Sequence, residues 1–396
     1  MAWEYKIIMN ILLAGQAYFR EDNGQAVFTV RLARGLKRQG HSVTVLTPLE
    51  HGSLPEEQVD GIRVLRVPTL QLPHNANITL NAGAKVRKQL AQATFDIVHL
   101  QDHYFISRAV WRIAHERRWP VVGTNHFLPQ NLSANMPVPA PMRRALEPLL
   151  WRHMLSLYHR LDAVSTPTQT AANILMEQGI KAPVSAISCG VDVERFQPDT
   201  HARREMRERL SVDGVATLFL YVGRLDHEKG LQEVVSAFAK LENKEAVLAL
   251  AGKGSCAIEL KAQAERLGLA EQMRFPGYVS AEDLPKLYNA ADCFIMAGYA
   301  ELQSIATLEA MASGLPVLAA DACALPELVK SRENGLLFAA RSEESLARQW
   351  REFLNLRPQW PAFSTASRAK AEEHGLMRSV AKYEDWYKKA IDKRKF

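Results

Sequence analysis

Arg224 and Lys229, five residues apart in the segment GRLDHEKG (223–230), are the side chains best suited to chemistry on an anion. They follow an apolar run at 218–222 that ends in Gly223, and a helical pattern begins after Gly230. A guanidinium offers a planar fork of donors, an ammonium a compact charge, and a helix start its amides, so together they suit a diphosphate. The segment also fits a surface loop in which the two cations pair with Asp226 and Glu228. Farther on, ELQSIATLE (301–309) carries two carboxylates eight residues apart. At 3.6 residues per turn, Glu301 at a strand-to-helix turn and Glu309 about two turns into the helix fall on nearly one face and could meet one ligand. A dipole partner plus a solvated helical glutamate is the competing reading.

Several chemistries are disfavoured. The turn after residues 11–14 contains no GxGxxG, and Gly252, Lys253 and Gly254 do not complete one, so a nicotinamide cofactor is not expected. No GxxxxGK[ST] segment is present. No DxD-type carboxylate pair accompanies the cations, which could do the work of a divalent ion, so no metal is expected. Cys189, Cys256, Cys293 and Cys323 form no CxxC pair or cysteine/histidine cluster, which suggests neither a disulfide framework nor a zinc site and fits a reducing compartment.

The elements that must position these residues form two series. Short apolar strands at 11–14, 43–46, 97–100 and 121–123 alternate with helical patterns such as 25–39, and a second series runs through 218–222, 247–251, 293–296 and 317–319. The turn-rich stretch at 189–200 separates them. The expected fold is α/β: two Rossmann-like, doubly wound domains, 1–190 and 191–375, facing across a cleft, with ligands at the carboxyl ends of the strands. An amphipathic final helix at 376–393, carrying Tyr383, Trp386 and Tyr387, is expected to pack back on the first domain. The 396 residues, 47% hydrophobic and 23% charged, are enough for two cores. No apolar run approaches the roughly 20 residues that span a bilayer, and residues 7–14 read as a strand rather than a signal peptide.

With CGVDVERF (189–196), these segments resemble the large retaining glycosyltransferase family 4, of GT-B fold, over essentially the whole chain. The resemblance implies that Arg224 and Lys229, beside Gly223, bind the donor diphosphate and stabilise the leaving group. It gives Glu301 the sugar hydroxyls and Glu309 the ribose, places Gln303, Ser304 and Ile305 in the same donor-binding turn, and puts the nucleobase near Gly252 and the 277–279 turn that includes Val279. His126, in TNHFLPQN (124–131), matches a histidine that contacts the transferred sugar. Asn23 and Gly24 match the turn that meets donor phosphates and acceptor, and Gln101, Asp102 and His103, with His99, are placed on the acceptor side. The family commonly has phenylalanine and glycine where this chain has Gln303 and Ser304. That variant, with TNHFLPQN, looks most like the members that glycosylate diacylglycerol.

The resulting expectation is a retaining, metal-independent hexosyltransferase without a cofactor, using a nucleotide-diphosphate sugar, UDP ahead of GDP, and a membrane-lipid acceptor. A soluble or polysaccharide acceptor is the alternative. A glycosidase could use the two carboxylates but leaves Arg224 and Lys229 unexplained. A non-catalytic nucleotide-sugar scaffold is a third class.

Residues 136–160 place Met142, Leu146, Leu149, Leu150 and Leu157 at helical spacing beside Arg143, Arg144, Arg152 and Arg160, with Trp151 among them. A basic amphipathic helix of this kind suits an anionic membrane surface, and equally a helix covering the first sheet. The net charge of +6 lies in the first half, where residues 1–188 hold 20 Lys+Arg against 13 Asp+Glu. A cytoplasmic protein, peripheral on the inner membrane face and without a nucleic-acid partner, is expected.

Overall fold

The computed structural model describes residues 7–16, 18, 24–71, 77–129 and 140–394. These divide into two compact units, one within Met1–Phe127, Pro148–Ser188 and Leu376–Phe396, the other within Leu128–Glu147 and Cys189–Gly375. Of the described residues between the two domains' main parts, 128–129 and 140–147 group with the second unit.

The first unit contains β1 (Asn10–Ala14), β2 (Ser42–Pro48), β3 (Glu56–Val59), β4 (Ile62–Val67), β5 (Leu70–Gln71), β6 (Asn77–Ile78), β7 (Ile97–Leu100), β8 (Val121–Thr124), β9 (Ala163–Thr166) and β10 (Val184–Ala186). Its sheet runs β10-β9-β8-β7-β1-β2-β4-β3, parallel except for β3, while β5 and β6 form a separate antiparallel pair. The helices are α1 (Gly24–Arg38), α2 (Ala82–Gln89), α3 (Phe105–Glu116), α4 (Ala140–Tyr158), which belongs to this unit from Pro148 onward, and α5 (Gln169–Glu177). The C-terminal helix Leu376–Lys393 belongs to this unit and packs on α1 and β8. Tyr383, Trp386 and Tyr387 are buried there.

In α4 the burial pattern departs from the amphipathic reading. Trp151 and Leu157 are 7% and 1% exposed, so they serve the core, whereas Met142 and Leu149 are 54% and 60% exposed. Trp151 is therefore removed from the surface-contact set. Arg152 is exposed, and the side chains of Arg143 and Arg144 lie outside the described residues, as does Asn23.

The second unit holds β11 (Thr217–Val222), β12 (Ala246–Ala251), β13 (Met273–Gly277), β14 (Cys293–Met296), β15 (Val317–Asp321) and β16 (Gly335–Ala339), all parallel in the order β13-β12-β11-β14-β15-β16. The helices are α6 (Thr200–Arg209), α7 (Leu231–Ala239), α8 (Ala257–Arg266), α9 (Leu284–Ala290), α10 (Ile305–Ala312), α11 (Leu325–Leu328), α12 (Glu343–Asn355) and α13 (Trp360–Glu373). Every residue of β12 and β14 is buried, as expected of parallel strands covered on both faces. Trp350 of α12 seals one face against Phe219 and Phe238, ring centroids 5.5 and 5.6 Å away.

The strand order reverses at β11. From there the chain steps outward through β12 and β13, then returns to pair β14 on the other side. A crevice at the carboxyl ends of β11 and β14 follows from this switch and is where ligands of such sheets bind. Neighbouring strand ends crowd together: a Cβ on Gly252 would lie 1.8 Å from the Gly223 carbonyl oxygen, and Gly252 has φ +140°. Gly252→Ala should therefore cost about 3 kcal/mol or more, from overpacking plus backbone strain. Urea denaturation measures this, and a stability loss under about 1 kcal/mol would contradict the close approach.

Candidate active site

The loop after β11 begins at Gly223 and places Arg224 on the surface, its side chain 49% exposed. Tyr221, buried in β11, donates its hydroxyl to the Arg224 carbonyl (2.8 Å) and fixes the backbone there. The Arg224 guanidinium bonds Asp226 and Glu228. The pairing that would make this an ordinary surface loop is therefore real. Lys229, however, turns away from solvent and donates to Glu301 Oε1 at 2.6 Å, with Glu228 Oε1 at 3.6 Å. Burial alone would lower the Lys229 pKa, but the Glu301 and Glu228 carboxylates outweigh it and the net shift is upward. Arg224, Glu228, Lys229 and Glu301 thus form a continuous chain of alternating charge across the β11–β14 switch point. Lys229 is held as the ammonium, and Arg224 remains accessible to an anion that can displace its carboxylate partners.

Glu301 lies in the strand-to-helix loop, before the helix that carries Glu309. Ser304 caps α10 by accepting from Thr307 N (3.1 Å), so the helix begins at Ile305 and the segment before it is a loop. The eight-residue helical spacing therefore does not set the relation between the two carboxylates. Glu309, in the second turn, is only 5% exposed and accepts from the buried Tyr288 hydroxyl (3.0 Å), which rules out a solvated glutamate. Gln303 is committed to structure through its side-chain oxygen, which accepts from Cys189 N (2.8 Å). Ser304 and Gln303 thus position the turn, while the first amides of α10, beginning at Ile305, lie at a helix N-terminus favourable to anions.

At the β12 end, Leu225, Leu250, Gly252, Gly254, Phe275 and Gly277 line much of a recess of about 260 Å³. Gly252 belongs to the nucleobase region expected from sequence and lines this recess; Val279 does not. Tyr221 and Tyr288, which aim Arg224 and Glu309, were not singled out from sequence, because nothing linear separates a tyrosine whose hydroxyl is used from one that only packs.

In the first unit, β1, β7 and β8 end side by side, followed by Gly15, Gln101 and Asn125. His126 packs on Phe28 (centroids 4.6 Å), and its Nε2 lies 3.3 Å from Gln101 Oε1. Burial drives its pKa down, so the ring is neutral and one of its nitrogens is an acceptor. Asp102, expected on the acceptor side, ties loops together: it accepts from Gln16 N (2.5 Å), Gln25 Nε2 (3.3 Å), Tyr104 N (2.9 Å) and Ser107 Oγ (2.7 Å). His103 is 5% exposed, and burial, with His153 and Arg108 adding to it, pushes its pKa down to about 3. His99 is also internal, its Nδ1 2.6 Å from Tyr387 Oη and its Nε2 2.6 Å from Thr124 Oγ1. Gly24 opens α1.

Two family models match the chain: Glycosyltransferase Family 4 over residues 22–195 and Glycosyl transferases group 1 over residues 202–370. An alpha-monoglucosyldiacylglycerol synthase of Streptococcus pneumoniae is 28% identical over 337 residues, 83% of this chain and 75% of that protein. Among solved structures, sucrose-phosphate synthase from Thermosynechococcus elongatus superposes with a TM-score of 0.82 at 19% identity, covering 97% of this chain and 99% of that one. Anabaena HepE in complex with UDP-glucose gives 0.77 at 20% identity, over 95% and 99%. Two Rossmann-like sheets with flanking helices, matched in this way, define a glycosyltransferase of the GT-B type. The chain belongs to glycosyltransferase family 4.

The buried neutral histidines make the first unit acid-sensitive. Below about pH 6.5 an unfolded imidazole takes up a proton that His99 and His103 refuse when folded, so stability is lost as pH falls from there toward about 3. Each contributes a slope of up to about 1.4 kcal/mol per pH unit, and His126, part of whose surface stays accessible, contributes less. Urea midpoints at about pH 7.5 and about pH 5.5 should differ in this direction; equal midpoints would contradict it.

Proposed function

We propose that the chain is a retaining, metal-independent hexosyltransferase that moves a sugar from a nucleotide-diphosphate donor to the hydroxyl of a membrane lipid such as diacylglycerol. The observation that carries the reading is the convergence of Arg224, Lys229 and Glu301 at the switch point of the second sheet. A departing diphosphate gains negative charge as the glycosidic bond breaks, and preorganised cations at that position stabilise the transition state more than the ground state. Lys229 is already oriented by Glu301, so it needs little rearrangement at that moment. Arg224 exchanges Asp226 and Glu228 for phosphate oxygens. Two fixed cations supply the charge that a divalent ion would otherwise supply.

Within this reading Glu301 takes the sugar hydroxyls while tethering Lys229, and Glu309, aimed by Tyr288, takes the ribose. His126 is assigned to the donor sugar, where the unprotonated nitrogen of a neutral ring accepts from a hydroxyl. The acceptor hydroxyl attacks on the face from which the diphosphate leaves and passes its proton to a phosphate oxygen, so no protein nucleophile is required and configuration is retained. UDP is favoured as the nucleotide by the HepE complex with UDP-glucose.

The lipid acceptor is favoured by the monoglucosyldiacylglycerol synthase. It is also favoured by Met142 and Leu149, exposed two turns apart on α4 near the exposed Arg152. Apolar side chains beside a cation suit an anionic bilayer surface. Among the described residues no helix is long and apolar enough to cross a membrane, so contact of this kind would be peripheral.

The test is transfer from UDP-glucose, with EDTA present, to diacylglycerol in mixed vesicles and to soluble sugar acceptors. Product is expected with the lipid. Arg224→Ala and Lys229→Ala should each lower turnover by about a hundredfold or more, as when a donor to a developing anion is lost, with circular dichroism unchanged. Turnover near wild type in both variants would sink the diphosphate assignment, and activity that needs added magnesium or manganese would sink the metal-independent step. Transfer to soluble acceptors alone would remove the lipid.

A further inference from the structure

We propose that His227, Cys256 and Glu259 form a binding site for one thiophilic divalent cation of the Zn2+ class, joined to the loop that carries Arg224 and Lys229. One ligand atom from each of the three side chains lies within 4.8 Å of the other two. Zn2+ with bonds of about 2.0–2.3 Å in tetrahedral geometry holds its ligand atoms about 3.3–3.8 Å apart. The 4.8 Å limit lies about 1 Å beyond that range, so the ligand atoms must draw slightly closer to hold the ion.

The backbone beneath the trio is already fastened. His227 opens a 3₁₀ turn, His227–Lys229. Cys256 is 1% exposed, immediately before α8, and Glu259 lies in the first turn of that helix, so the pair shares a face at i, i+3. Cys256 N donates to the Leu225 carbonyl (2.8 Å), and Ser255 donates from N and Oγ to Asp226 Oδ1 (2.9 and 3.0 Å). Ordering the ligands therefore costs mainly three side-chain rotamers.

The donor set decides the class of ion. Mg2+ and Ca2+ require oxygen ligands in greater number, whereas thiolate, imidazole and carboxylate together suit Zn2+ and leave a fourth position for water. Gln232 Nε2 lies 3.2 Å from His227 Nδ1. For metallation at Nε2 the Gln232 amide turns so that its oxygen accepts from Nδ1–H, the outer contact that orients a ligating imidazole. Binding displaces the thiol proton of Cys256 to solvent and forms the metal–sulfur bond with no change in oxidation state.

Linear spacing conceals the site, since His227 and Cys256 are 29 residues apart with no CxxC. They meet because β11 and β12 are neighbours in the sheet and each hands its following loop to the same edge. None of the three belongs to the proposed donor site. A bound cation would pin His227, which lies between Arg224 and Lys229, against the start of α8.

The test titrates Co2+, a spectroscopic stand-in for Zn2+, into the full chain. Saturation at one ion per chain with a thiolate-to-cobalt charge-transfer absorption is expected, and Zn2+ should displace it. Cys256→Ser should abolish that absorption. His227→Gln and Glu259→Gln, exposed positions whose replacement spares the fold, should each weaken affinity by tenfold or more. No saturable absorption, the same absorption in Cys256→Ser, or affinity within twofold of wild type in both exposed variants would overturn the site.

Discussion

Seventy-two positions separate Lys229 from Glu301 in the chain, and 2.6 Å separates their charged atoms. The ion pair exists because β11 and β14 are adjacent although two other strands intervene in sequence. Its two ends are almost out of solvent, 16% and 14% exposed, so the attraction is less screened than at the surface. A charge removed from water in this way is tolerable only when paired, and either residue without the other would be destabilising. The pair therefore ties the two loops where these strand ends already meet, and it keeps Lys229 charged. Arg224 stands at the wet end of the same chain of charge, half-exposed and able to change partners. One cation is thus committed and the other exchangeable, an arrangement suited to an anion that must enter, react and leave.

The surrounding polar contacts serve that geometry in both units. In the second, Tyr221 and Tyr288 each use a single hydroxyl to hold a functional group, the Arg224 backbone and the Glu309 carboxylate. In the first, His99 joins Tyr387 of the C-terminal helix to Thr124 at the end of β8, and Asp102 gathers four donors from the loops around it. Residues whose types suggest catalysis are, in these cases, the fastenings of strand ends. His126 differs from them in that part of its surface stays accessible.

Much of this was legible in the chain. The apolar runs that became β1, β7, β11, β12 and β14 are continuous because both faces of those strands are buried. The glycines after them mark where loops approach too closely for a side chain. What stayed hidden has physical causes. β4 and β16 were not separated out from sequence, and helical spacing was applied to Glu301 and Glu309 although Ser304 caps the helix and leaves Glu301 in the turn before it, where that spacing has no force. Trp151 looked interfacial because a helix that covers a sheet and one that lies on a membrane carry the same apolar periodicity; only burial tells them apart. The pairing of Cys189 N with Gln303, 114 residues away, has no linear signal at all.

The most direct test of the account is a crystal structure of the chain with UDP-glucose bound. The diphosphate should lie within hydrogen-bonding distance of the Arg224 guanidinium and the Lys229 ammonium, with Arg224 released from Asp226 and Glu228 and the ribose hydroxyls at Glu309. A nucleotide bound elsewhere, or a diphosphate that touches neither cation while the Arg224 pairs stay intact, would contradict it.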